Sequence, residues 1–201
     1  MIGAALTCGL VAGFALAWLL RLRGPVAAVP PVVLALWGLL PLTWTPATVV
    51  EHAGGAGGLS VTAAALALLA LAERCGASYR LPREYLQAVA LLVAPAGLLV
   101  YGTQWGFVPL EGLYGAGFGD FRLSTALLLL GLVAWVVRAY ALCLILVAGQ
   151  FAFATGWLPA INLWDHLMDP LLWLWSIGWL AVSGRPSAIG KPKTPSSPGP
   201  E

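Results

Sequence analysis

Unalternating runs of Leu, Ala and Val fill most of this chain and constrain it more than any motif does. They extend from Met1 to Leu20, Val32 to Val50, Leu59 to Ala72, Tyr85 to Tyr101, Ser124 to Ala154 and Leu171 to Val182, and the only charge within them is Arg138. A lipid core holds no water to satisfy backbone N–H and C=O groups. A chain that crosses it must therefore be helical or close into a barrel, and a barrel needs a period-two alternation that these runs lack. Charged residues make up 9% of the sequence, against about a quarter in a soluble domain. The sequence predicts an all-α, polytopic transmembrane helical bundle of about six spans, one domain over residues 1–182.

The same composition excludes several function classes. A net charge of +2 with dispersed basic residues argues against a nucleic-acid partner. Cys8, Cys75 and Cys143 form no ligand-spaced set, so neither a disulfide framework, a metal nor any other cofactor is implied. Cys8 lies in Leu6-Thr-Cys-Gly9, but no charged head and apolar run precede it as a lipoprotein box requires. Arg21 and Arg23 follow the first apolar run instead of preceding it, which reads as a retained span with its N-terminus outside.

Taken in order, Gly9 and Gly13 form a notch where another helix can approach. Pro25, Pro30 and Pro31 are expected to break the chain, and Pro41 and Pro46 to kink the second span, with Thr43, Thr45 and Thr48 nearby to satisfy freed carbonyls. Glu51, His52 and a glycine cluster make an outer turn. Arg74, Arg80 and Arg83 lie two spans after Arg21 and Arg23, which puts both loops on the cytoplasmic side. The Gly- and aromatic-rich stretch Gly102 to Arg122, with Glu111 and Asp120, is expected to cap the outer mouth.

The run from Ser124 to Ala154 is read as one long helix with Arg138 at its middle. At 100° per residue Leu127, Gly131, Ala134, Ala141, Ile145, Gly149 and Ala152 share the arginine's side, and Leu129, Val133, Val136, Leu144, Val147 and Phe151 lie opposite. A central arginine costs about 2.5–3.5 kcal/mol to insert and calls for a polar partner. Asp165, Asp169, Glu111 and Asp120 are the candidates. Such a contact is either a static structural pair or an anion- or lipid-binding site.

Asn162 has the character of a helix cap with Asp165 completing a capping box, and Asp169 before Pro170 caps a further helix. If the segment is one helix, Asp165 and Asp169 share a face beside His166, an arrangement suited to metal or proton chemistry but lacking a third ligand motif. Trp157, Trp164, Trp173, Trp175 and Trp179 place this region at the headgroup level. Leu171 to Val182 is short for a crossing. Six spans leave Arg185, Lys191 and Lys193 outside, against the positive-inside trend, and five put them inside; the apolarity of the run favours six. The Pro/Ser/Gly-rich tail, residues 183–201, has a disordered composition.

Two stretches, Tyr114-Gly-Ala-Gly-Phe-Gly119 and Asn162-Leu-Trp-Asp165 leading to Asp169-Pro-Leu-Leu-Trp173, resemble a family of small, uncharacterised bacterial multi-span inner-membrane proteins. The resemblance implies an inner-membrane location and carries no activity. Three functions compete on these residues. The first is a non-enzymatic subunit or scaffold packed against another membrane protein or a second copy of itself. The second is a small transporter or lipid- or anion-binding protein using Arg138 with the acids. The third, an intramembrane enzyme using His166, Asp165 and Asp169, has the least support.

Overall fold

A computed structural model describes residues 2–40, 59–78, 82–109 and 112–183. Among them the chain is helical without strands: α1 (Ile2–Leu19), α2 (Val29–Gly38), α3 (Val61–Arg74), α4 (Arg83–Gln104), α5 (Phe121–Val136), α6 (Tyr140–Ala154), α7 (Leu163–Leu167) and α8 (Pro170–Ser183). Pro25, Pro30 and Pro31 open helical structure instead of breaking it. Pro25 sits in a 3-10 turn, Gly24–Ala28, that leads into α2, and Pro30 and Pro31 occupy the first turn of α2, where a missing N–H leaves no bond unmade. Pro41, Pro46, the three threonines, Glu51, His52, Arg80, Glu111 and the tail beyond Ser183 lie outside the described residues.

The main correction concerns Arg138. The run from Ser124 to Ala154 is two helices, and Arg138 stands in the turn between them with φ 62 and an exposed side chain. The turn is a left-handed helix stop: Ala139 N–H donates to the Ala134 carbonyl at 2.7 Å and Arg138 N–H to that of Trp135 at 3.0 Å. Arg21 ends α1 in the same way, with φ 54 and Leu22 N–H donating to the Ala17 carbonyl at 2.9 Å. A left-handed non-glycine residue costs about 1–2 kcal/mol. The break sets a cation at a helix C-terminus, where the dipole favours it.

Successive rods run antiparallel between two ends. Gly9 lies on Ala35, Gly13 on Pro31 and Ala5 on Gly38, so α2 returns along α1 through the glycine notch. Arg74 Nη1 donates to the Leu22 carbonyl at 3.0 Å, joining the ends of α1 and α3. Gln150 Nε2 reaches the Ser124 carbonyl at 3.1 Å across the α5–α6 hairpin. Trp173 of α8 lies on Gly97 and bonds the Ala94 carbonyl at 3.0 Å, so α8 packs along α4.

In this arrangement Arg21, Arg23, Arg74, Arg83 and Arg138 gather at one end, the arginine end, together with Glu73 and Glu84. The opposite end, the connector end, holds α7, the loop residues 105–109 and 112–119 and the acids Asp120, Asp165 and Asp169, with Arg122 as its described basic residue. Large apolar side chains point outward along the rods: Leu129, Val133, Val136, Leu144, Val147 and Phe151 are all exposed, whereas Gly131, Ala134, Ile145, Gly149 and Ala152 are buried. Of the described helices, α1 and α4 are long and apolar enough to cross a membrane by length and composition; the other apolar rods are shorter.

Candidate functional site: a polar cluster at the connector end

The buried polar residues of this end cluster where α3 and α8 begin. Asp169 is 3% exposed. Its Oδ1 accepts from Leu172 N–H at 2.8 Å, and its Oδ2 from Ser60 N–H at 2.9 Å and the Ser60 hydroxyl at 2.6 Å. The Ser60 oxygen in turn accepts from Ala63 N–H at 3.1 Å, capping α3. One carboxylate thus serves two helix N-termini.

Asn162 performs a similar junction for α7. Its Oδ1 accepts from Trp164 N–H at 2.9 Å, and its Nδ2 donates to the Tyr114 carbonyl at 3.1 Å. Gly117 sits so close to Asn162 that a Cβ there would collide with the amide. Trp164 Nε1 bonds the Leu113 carbonyl at 2.9 Å. The glycine-rich loop and the connector, two separate stretches of the sequence, are therefore one packed unit.

Asp165 is half-buried and accepts from the Tyr114 hydroxyl at 3.3 Å. Burial pushes its carboxyl up to about 6, a rise that the Tyr114 bond opposes. Burial, reinforced by Asp165, likewise raises the Tyr114 phenol. His166 is fully buried, with its ring edge-on to Phe153 at a centroid distance of 5.5 Å. Its Nδ1 lies 3.1 Å from the Asn162 carbonyl and is the donor, since a carbonyl only accepts; Nε2 then carries the lone pair and has no partner among the described residues. Burial holds this imidazole below its ordinary value, so it stays neutral.

Asp165, His166 and Asp169 are thus brought to one end of the molecule, but not onto one helical face. Helix α7 stops at Leu167 and Met168 is extended, so Asp169 belongs to α8. The capping box is half formed: Asn162 caps, while Asp165 turns to Tyr114. Asp120 caps α5 through Arg122 N–H at 2.8 Å. Arg138 lies at the opposite end, where its carbonyl accepts from the Tyr85 hydroxyl at 3.0 Å, so the pairing expected between Arg138 and these acids is not formed. No group of three His, Cys, Asp or Glu side chains among the described residues is placed to hold a metal ion.

Ser60 and Tyr114 are the site residues that the sequence reading missed. Ser60 had a signal, a hydroxyl residue directly before an alanine-rich helical run. Tyr114 had none, because its role depends on a contact 51 residues away. The chain matches no protein-family model, no curated protein and no solved structure.

Proposed function

We propose that the chain is a multi-span bacterial inner-membrane protein with its N-terminus outside, acting as a non-enzymatic subunit or scaffold that packs against another membrane protein. The observation that carries this reading is how the connector's polar groups are used. Asp169, Ser60, Asn162 and Trp164 are all engaged in tying helix ends and loop together, which makes a rigid platform. The rods meanwhile present outward-facing leucine, valine and phenylalanine, which suits acyl chains or a neighbouring helix. Seven rods cross in this reading. A rod of 16 residues such as α5 is about 24 Å long at 1.5 Å per residue, so flanking residues or local thinning complete the roughly 30 Å hydrocarbon layer.

The test is photo-crosslinking in intact cells from Leu129 and Val133 on the outer face of α5 and from Gly131 on its inner face. The scaffold reading expects a discrete adduct with a second membrane protein, or with another copy of the chain, from the outer positions only. Lipid adducts alone at every outer position, with a purified monomer and no companion, would overturn it.

A further inference from the structure

A cavity of about 640 Å³ opens at the arginine end between the last turns of α1 and α3, walled by Phe14, Trp18, Arg23, Ala70, Glu73 and Arg74. It falls in the size range of ligand pockets, about 300–1,000 Å³. Its two halves differ chemically. Phe14, Trp18 and Ala70 form an apolar wall, with the Trp18 indole 60% exposed, and an indole so placed suits the headgroup boundary. The polar half is built by the α1 stop: Arg21 in its left-handed conformation turns the chain so that the Leu22 carbonyl meets Arg74 Nη1 at 3.0 Å. That bond uses one of the five donors of Arg74 and fixes the guanidinium at the cavity wall. Arg23, on the adjoining turn, is exposed and has no hydrogen bond or ion pair among the described residues.

We infer that this cavity is a site for the phosphodiester of an anionic phospholipid, with the acyl chains leaving past Phe14 and Trp18. Arg23 and Arg74 are the cations on the described part of the wall, and they suit the negative charge of a phosphodiester. The two guanidinium groups disfavour a headgroup that carries its own cation. Arginine is suited to the role because its planar fork binds two phosphate oxygens at once. The site rests on the proposed placement of the arginine end at the inner headgroup layer, where anionic lipids gather.

The experiment is native mass spectrometry of the full chain in detergent, titrated with phosphatidylglycerol or phosphatidylcholine. The expected result is a saturable single phosphatidylglycerol adduct about tenfold tighter than any phosphatidylcholine adduct. Arg23→Gln, which breaks no internal bond, reduces that preference severalfold, and Arg23→Gln with Arg74→Gln abolishes it. Arg83→Gln, on the same end but outside the cavity, leaves it intact. Equal binding of both lipids overturns the site, as does an equal loss in Arg83→Gln, which would mean diffuse attraction to the whole face. Displacement of the lipid by millimolar inorganic phosphate overturns the lipid assignment in favour of a free-phosphate site. Sidedness is read separately by thiol labelling, so a failure here is distinguishable from a failure of the membrane placement.

Discussion

At the scale of single residues, Arg138 and Asp165 are where charge and burial conflict, and each resolves the conflict differently. Arg138 escapes burial by ending a helix in a left-handed conformation. The consequence is a sign that a substitution can read. In a left-handed turn, Arg138→Gly should be more stable than Arg138→Ala by about 1 kcal/mol, whereas within a continuous helix alanine would win by about the same amount. Both variants lose the charge, so thermal unfolding in detergent isolates the backbone term. Asp165 stays half-buried and accepts a raised pKa of about 6. Because the folded state holds this proton more tightly than the unfolded state, Asp165 favours folding at acid pH, and that contribution is lost as pH rises from about 4 through 6. His166 acts in the opposite sense, since its lowered pKa penalises folding as pH falls below the unfolded value. Asp165→Asn should therefore be more stable than the parent at pH 8, with the advantage shrinking at pH 5. An advantage equal at the two pH values would show that desolvation of the carboxylate is not the cause.

At the scale of elements, packing follows small residues and joints follow side-chain caps. Gly13 lies on the backbone of Pro31 and Gly9 on that of Ala35, so neither site can yield to a Cβ by moving a flexible side chain. Gly13→Leu should separate α1 from α2 and cost at least about 1–3 kcal/mol, read as a lower melting temperature, while the same change at Gly178, with open space around it, should be tolerated. Asp169→Ala strands three donors, Ser60 N–H, the Ser60 hydroxyl and Leu172 N–H. At about 1–3 kcal/mol for each buried donor left unsatisfied, it should cost more than Ser60→Ala, which leaves the Ser60 N–H and Leu172 N–H bonds in place. These features were differently legible in the sequence. The glycine notch and the Asn162 and Asp169 caps depend on local spacing and were readable; the small and large faces hold within α5 and α6 separately, while Arg138, read onto the inward face, is exposed in the turn between them. The turn at Arg138 was not readable: Val136-Val-Arg-Ala-Tyr140 contains no Gly or Pro, so no residue in the segment marks a left-handed stop. The proline cluster from Pro25 to Pro31 misled for the related reason that proline ends a helix in its interior but starts one in its first turn.

For the whole molecule, the turn at Arg138 resolves a conflict that the sequence posed. Six spans with an outer N-terminus leave the basic C-terminal residues outside, and five spans require an apolar run to lie on the surface. A hairpin in place of one long helix adds a rod, so that Arg21, Arg23, Arg74, Arg83 and Arg138 share an end with the last residues of α8. In the proposed membrane placement this end faces inward, in agreement with the positive-inside trend, and the connector end faces outward. The count of rods and the sidedness therefore stand or fall together. In a background with Cys8, Cys75 and Cys143 replaced by serine, Arg138→Cys and Ser183→Cys should react with a membrane-impermeant maleimide only in inverted vesicles, and Phe118→Cys, exposed at the connector end, only in intact spheroplasts. A continuous fifth span would bury Arg138→Cys in lipid, unreactive from either side, and would move Ser183→Cys to the outside. Either result would dismantle the seven-rod arrangement, and with it the reason for placing the arginine end against the inner leaflet.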